Sequence, residues 1–579
     1  KKLTQQTVPA GPACATAVDE LARINTREQR KLSAQVGTEP SMLTQNVKPC
    51  SLQSTESARL RPRKTVARGN LTSVVDEHSS WLHLPKDRKE AAVENADGAR
   101  HRRLHVSDHG LLKLIKLPEA SGARCLDGSS PALYFRPAAN AGFERDFIIS
   151  MRGGAWCRTV EHCAQRAKTK LGSSSFWSQV TKGQGILSSD QKSNPVFSQM
   201  NTAYFMYCDA FSFNGQRLEP IAHQGQQLHF QGRAVLDALV DYLVRHHGLG
   251  DARRVLLTGH SAGGLAVYFN ADYIHARILK SRRSREPLDF RAAPDAGFFL
   301  AQKNLLDGAV PDFYHSIQQA ATLANASGHD GCVKAVTSSR TGRSQNASQC
   351  LLAAHVLPHM RVPVFIVQSL ADPWQLVRSV GLSCSPKATL EARDADNSRG
   401  RLPCCDSRSM AALQAHTSSI RAALKSLGFM PSASPSASPS SSQPSSSSSS
   451  PSLLESSSAP YSARTRSLSV KSSSEYAEAA RAGLFAPVCM CHTQMFGHFG
   501  HTNGTYNHAA VWAITAPSGE RVTPARALLD WWLDRRGLGR GRSGHFHFDD
   551  SAWPGNALCA RFGVAGFSRL PSGQAFDVT

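Results

Sequence analysis

Apolar residues in this 579-residue chain fall in short unbroken runs, separated by stretches with helical spacing. Phe147-Ile148-Ile149-Ser150-Met151 is one such run and ends at Gly153-Gly154. Val255-Leu256-Leu257-Thr258 is a second, and Val362-Pro363-Val364-Phe365-Ile366-Val367 a third. None alternates with polar residues, so each predicts a short strand buried on both faces. Val235, Leu236, Leu239, Val240 and Leu243 recur at three- and four-residue steps and predict a helix over 232–245. A second helical pattern runs from Leu265 towards Leu279. Buried strands alternating with amphipathic helices imply an α/β fold: a mostly parallel central sheet with helices on both faces.

The flanks break this pattern. Residues 1–108 are polar and basic without sustained periodicity, and read as a disordered N-terminal region. Residues 431–474 are Ser/Pro-rich, with Ser445 to Ser450 in succession. Such a segment buries too little apolar surface to fold, so it predicts a flexible insertion, of a composition that suits O-glycosylation. The folded part then divides into 109–430 and 475–540, and the Gly/Arg/His-rich 541–579 reads as an irregular C-terminal extension.

Lys and Arg number 66 against 44 Asp and Glu, a net charge of +22. That balance suits a polyanionic partner, although much of it gathers in the N-terminal region and the Arg-rich stretches 280–286 and 534–542, where it equally describes solvated segments. No basic stripe interleaved with aromatic residues occurs, so nucleic acid is not expected as a partner. No run of about 20 apolar residues occurs either, so no transmembrane segment is expected. The fourteen cysteines show no repeated Cys-x-x-Cys spacing, which argues against a zinc framework. Asn-x-Ser/Thr triplets at Asn70, Asn325, Asn346 and Asn503 suit a secreted chain. The chain opens on Lys1-Lys2, as a processed chain or a fragment would.

Candidate chemistry starts at Gly259-His260-Ser261-Ala262-Gly263, between the second strand and the second helix. Small flanking residues allow a strained strand-to-helix turn that projects a serine Oγ, so Ser261 is the candidate nucleophile of an α/β-hydrolase-type esterase. The Gly-rich loop after the first strand offers backbone N–H groups at Gly154 and Ala155, which with Ala262 form a candidate oxyanion hole. In this fold the order is Ser, then Asp or Glu, then His. Asp372 follows the third strand, where a strand-end loop carries such an acid; Asp295 competes on order alone. His492, His498, His501 and His508 all stand in the right place for the base. His260 does not, because adjacent residues at a sharp turn point apart, and the same direction argues against a Cys491–His492 dyad. No carboxylate or thiol completes a zinc ligand set around these histidines, so no metal and no other cofactor is expected.

A series of short runs adds a family resemblance. Cys125-Leu126-Asp127-Gly128-Ser129, Gly153-Gly154-Ala155-Trp156-Cys157, Tyr207-Cys208-Asp209, Leu257 to Gly264, Asp295-Ala296-Gly297-Phe298-Phe299, Ala371-Asp372-Pro373-Trp374-Gln375 and Cys489-Met490-Cys491-His492-Thr493-Gln494 occur in that order. From Cys125 to about Arg535 the chain resembles the plant pectin acetylesterases, which share a superfamily with the animal Notum deacylases. The resemblance implies Ser261, Asp372 and His492 as catalytic residues, since the family's histidine follows the Cys-x-x spacing that Cys489 to His492 supplies; His508 stays as the alternative. Three departures stand out: Arg152 where the family has an acidic residue, Ala155 where it has a glycine, and His260 where it often has a cysteine. Asp295 then reads as structural or pocket-lining. The resemblance also implies disulfides, Cys125 with Cys157 first among them, and hence an oxidising, extracellular or cell-wall location. The expected activity is a serine-dependent carboxylic ester hydrolase acting as a monomer on an acetylated, acidic galacturonan. The rival readings are a Notum-like deacylase of a lipidated protein and an inactive glycan-binding relative.

Overall fold

A computed structural model describes residues 110–306, 312–338, 346–384, 405–429, 482–495, 513–515, 520–534 and 545–550. The region 1–108, the Ser/Pro-rich segment 431–474 and most of 541–579 therefore lie outside the described residues, as do His498, His501 and His508. The strands are β1 (Leu111–Lys116), β2 (Ala132–Arg136), β3 (Asp146–Met151), β4 (Val180–Lys182), β5 (Asn201–Phe205), β6 (Ile221–His223), β7 (Gln226–Leu228), β8 (Arg254–His260), β9 (Asp289–Asp295), β10 (Phe365–Val367), β11 (Gly483–Ala486), β12 (Ile514–Thr515), β13 (Arg521–Val522) and β14 (Phe546–Phe548). Ten of them form one sheet in the order β14-β11-β10-β9-β8-β3-β5-β2-β1-β4. From β14 to β5 every pairing is parallel; β5–β2, β2–β1 and β1–β4 are antiparallel.

The three apolar runs fold as the sequence pattern predicts, with one shortening. All six residues of β3 are buried, as is the interior of β8, because both faces of the sheet are covered. The third run forms only Phe365–Val367, with Val364 making a lone bridge to Ala292. Pro363 has no N–H to add to the ladder; it supplies only its carbonyl, to Ala292 N–H at 2.9 Å. The two expected helices run Gly232–His247 and Ala262–Lys280. In the first, Val235, Leu236, Leu239, Val240 and Leu243 are the buried stripe. In the second, Leu265, Val267, Phe269 and Ile274 are buried, each contributing about 1.5–3 kcal/mol.

Three features differ from expectation. The antiparallel edge β4-β1-β2 lies outside the three runs named above: β2 reads Ala-Leu-Tyr-Phe-Arg and is buried throughout, while β1 reads Leu-Leu-Lys-Leu-Ile-Lys and is largely half-buried. The tail read as irregular from 541 contributes β14, which pairs parallel to β11 with Leu484 opposite Phe546. The expected Cys125–Cys157 disulfide is incorrect: Cys125 bonds Cys208, and Cys157 bonds Cys163. Antiparallel pairing of β2 with β5 brings the chain before β2 against the chain after β5, where Leu126 N–H donates to Cys208 O at 2.8 Å. Cys332–Cys350 and Cys384–Cys405 are also bonded. No helix among the described residues is long and apolar enough to cross a membrane.

Candidate active site

Ser261 sits between β8 and the helix Ala262–Lys280 with φ 56° and ψ −124°. A side chain in that region costs about 1–3 kcal/mol, an amount the burial of the following helix readily offsets. The turn is tied at both ends: Ser261 N–H donates to Asp295 O at 2.9 Å, and Leu265 N–H donates to Ser261 O at 2.9 Å. Small residues are required here because the helix start presses on the neighbouring strand end. A Cβ on Gly263 would lie 2.1 Å from Met151 O. Ser261 itself is buried.

The Gly-rich loop after β3 lies directly against this turn, since a Cβ on Gly153 would lie 2.9 Å from Ser261 Cβ. His260 helps hold it there: its Nε2 accepts the Gly153 N–H at 3.2 Å. Burial, with the charge of Arg152 and then of His492, pushes His260 down to about 3, so it is a neutral acceptor in this contact. Arg152 turns outward and donates to Lys170 O at 3.3 Å. Ala155 adopts φ 50°, the left-handed region where the family resemblance anticipates glycine. Its carbonyl accepts from Tyr207 Oη at 2.9 Å, while Ser212 Oγ donates to Ala262 O at 2.8 Å and accepts Trp156 Nε1–H at 2.8 Å. Both carbonyls are thereby occupied. No described group accepts from the N–H of Gly154 or Ala155, and Ala262, as the first helical residue, has no acceptor within its helix.

Asp372 lies just past β10, fully buried, as the N-cap of a short helical turn. Its Oδ1 accepts Trp374 N–H at 2.8 Å and lies 2.9 Å from His492 Nδ1; its Oδ2 lies 3.0 Å from the same nitrogen. His492 is on the loop after β11, and that loop is laced to the one carrying Asp372. Gln368 N–H donates to Phe485 O at 3.0 Å, Leu370 N–H to Pro487 O at 2.9 Å, and Ser369 Oγ to Cys489 O. The imidazole is about a quarter exposed, at 24%. Burial alone would lower its pKa, but the charge and hydrogen bond of Asp372, with the charge of Asp295, raise it above 6.5. Trp374 stacks near it, ring centroids 6.1 Å apart. Its Nε2 is buried and has no hydrogen-bond partner among the described residues.

Of the expected site residues, the structure therefore joins Asp372 to His492 directly and places Gly153–Ala155 and Ala262 around Ser261. No hydrogen bond joins Ser261 Oγ to His492 Nε2. Cys491 is a free, buried thiol pushed well up by burial and by the charges of Asp295 and Asp372. It donates to Thr493 O at 3.0 Å, an inert arrangement for the rejected dyad. The sequence reading also left out Tyr207 and Ser212, whose hydroxyls brace the oxyanion loop; only their long-range contacts reveal them.

Comparison with known proteins gives the family and the fold. Residues 106–437 match the family model described as pectinacetylesterase, a span that holds Ser261 and Asp372 and ends before His492. Pectin acetylesterase 5 of Arabidopsis thaliana is 34% identical over 271 residues, 47% of this chain and 59% of that protein. Pectin acetylesterase 7 of the same plant is 30% identical, over 54% of this chain and 74% of that protein. Human palmitoleoyl-protein carboxylesterase NOTUM is 29% identical over 45% of this chain and 51% of its own length. The matched region thus spans about three fifths of Arabidopsis pectin acetylesterases 5 and 4, at 59% and 62%. Among solved structures, the Wnt deacylase Notum from Drosophila superposes with TM-score 0.52 and 19% identity, over 76% of this chain and 97% of that one, a likeness of fold.

Proposed function

Because the chain belongs to the pectinacetylesterase family, we propose that it is a serine-dependent carboxylic ester hydrolase that removes O-acetyl groups from a pectin-like polysaccharide. The observation that carries this reading is the Asp372–His492 pair, held at 2.9 Å beside a strained serine turn with free backbone N–H groups. His492 Nε2 takes the Ser261 proton as Oγ adds to the ester carbonyl, and Asp372 orients and stabilises the imidazolium. N–H groups of Gly154, Ala155 and Ala262 bind the resulting oxyanion. Collapse expels the sugar hydroxyl, which receives the proton from His492 and leaves acetyl-Ser261. Water, deprotonated by His492, then adds to the acetyl carbon and releases acetate and free Ser261.

A short acyl group is supported by a cluster of four rings, of which Trp374 stacks near His492. Trp156, Phe299, Phe313 and Trp374 pack on one another with centroids 4.8–6.1 Å apart. The first three are buried, so the space they occupy is already filled. The +22 net charge suits an acidic galacturonan, and the disulfides suit a secreted, cell-wall enzyme.

The test measures acetate release from acetylated galacturonan, with p-nitrophenyl acetate and palmitate in parallel. Ser261→Ala should abolish all hydrolysis and leave the fold intact, because the Ser261 side chain caps nothing. Preference for palmitate would favour the Notum-like reading. Equal, background rates for wild type and Ser261→Ala would leave an inactive glycan-binding relative.

A further inference from the structure

We propose that Asp295 is a positioning residue that sets the spacing between the Ser261 turn and the His492 loop; this rests on the function proposed above and deepens it. Asp295 ends β9, between β8 and β10 in the sheet, and is fully buried. Its main-chain carbonyl accepts the Ser261 N–H at 2.9 Å. Its carboxylate reaches the other way: it accepts the Gln494 N–H at 3.1 and 2.8 Å and the Met495 N–H at 2.7 Å. Those two residues follow His492-Thr493 and lie 199 and 200 positions further along the chain. One residue therefore binds the nucleophile turn through its backbone and the base's loop through its side chain.

The loop after β11 has no helix or strand between Pro487 and Met495; the buried side chains of Val488, Met490 and Met495, the disulfide-bonded Cys489 and a set of hydrogen bonds hold it. Leu370 N–H to Pro487 O and Ser369 Oγ to Cys489 O hold its first half to the Asp372 loop, and Ile186 N–H donates to Met495 O at 2.8 Å. Of these anchors, only Asp295 also bonds Ser261. It makes no hydrogen bond to the imidazole, which is held by Asp372. The charged and titratable groups facing Asp295 are His492, Asp372 and Cys491. Burial pushes its carboxyl up to about 7 against the pull of the two N–H donors, so it carries a proton for part of the working range. The tether does not depend on that charge. The oxygen at 2.8 and 2.7 Å accepts both N–H groups alone, and an asparagine oxygen can stand in its place.

Acyl transfer needs Nε2 and Oγ in register, and a displacement of about 1 Å costs on the order of 10²-fold in rate. The experiment compares kcat and KM for p-nitrophenyl acetate, per folded molecule of the full chain, in wild type, Asp295→Ala, Asp295→Asn and Asp146→Ala. Asp146 is the control: an equally buried carboxylate at the start of the central strand β3, at the other end of the strands from Asp295, bonded to Arg253 and Arg254. Asp295→Ala should lower kcat about 100-fold with KM within about threefold. Asp295→Asn should recover kcat to within about tenfold of wild type, and Asp146→Ala should lose thermal stability while keeping kcat. If Asp295→Ala does not fold, Asp295→Ser replaces it under the same criteria, its hydroxyl being too short for both N–H groups. The proposal is overturned if removing the carboxylate leaves kcat near wild type, if Asp295→Asn is as slow as Asp295→Ala, or if Asp146→Ala loses kcat equally. An inactive wild type would instead sink the proposed function, so the two failures are distinguishable.

Discussion

Asp372→Asn tests the orienting role of the acid most sharply, because the structure dictates how the new amide must sit. Asp372 Oδ1 accepts the Trp374 N–H at 2.8 Å, so the asparagine oxygen has to occupy that position; an NH2 there would face a donor. Its nitrogen is then left where Oδ2 was, 3.0 Å from His492 Nδ1, pointing hydrogens at the ring. The amide hydrogens compete there with the amide oxygen, 2.9 Å from the same nitrogen, and a ring that accepts them through Nδ1 carries its proton on Nε2, the atom that has to remove the Ser261 proton. A wrong tautomer of this kind costs about 10³–10⁴-fold in serine hydrolases, or roughly 4–5.5 kcal/mol in the barrier. The N-cap bond survives, so folding should change by less than about 1 kcal/mol. Steady-state hydrolysis of p-nitrophenyl acetate, alongside a thermal melt, gives both numbers. A variant with normal melting and more than a tenth of wild-type kcat/KM would refute the assignment of Asp372 as the residue that orients His492.

Three further outcomes follow from the same geometry. Since Asp372 and Asp295 raise the His492 pKa above 6.5 and catalysis needs the neutral ring, kcat/KM should fall as pH drops through that raised value. The acid limb therefore belongs above pH 6.5 in wild type and should move lower in Asp295→Asn; a pH–rate profile with its limb below 6.5 would contradict this. Gly153→Ala places a Cβ 2.3 Å from His260 O and 2.9 Å from Ser261 Cβ, so it should cost about 1–3 kcal/mol of stability and most of the activity. Among the disulfides, Cys125–Cys208 closes 83 residues and Cys157–Cys163 only 6, so the chain-entropy model gives losses of about 4–5 and about 2 kcal/mol for their paired serine variants, ranked by melting temperature.

What could be read from the sequence was what local chemistry enforces. Ser261 is legible because a buried strand, a strained turn and a helix need small residues at Gly259, Ala262 and Gly263, and that demand is written within a few positions. Asp372 is legible for a related reason: a parallel strand delivers its following loop to one edge of the sheet, and a Pro-containing turn marks where that loop stops. The choice among the histidines has no such mark in the chain's own pattern, since the loop around His492 carries no periodicity; it rests on the family's Cys-x-x spacing. Its position is created by bonds from Asp295 and Ser369, made across 199 and 120 residues. The same distance hid the true partner of Cys125, which depends on the pairing of β2 with β5, and hid β14, three residues long in a Gly/Arg/His-rich tail. The Asp-Ala-Gly-Phe-Phe run shows where the two kinds of information meet. Its aspartate looks spare once Asp372 takes the acid's place, because order along the chain counts acids and not what they hold. Among the described residues it is the one bonded both to the nucleophile's backbone and to the base's loop, which makes the spacing of a site assembled from three distant segments a property of a fourth.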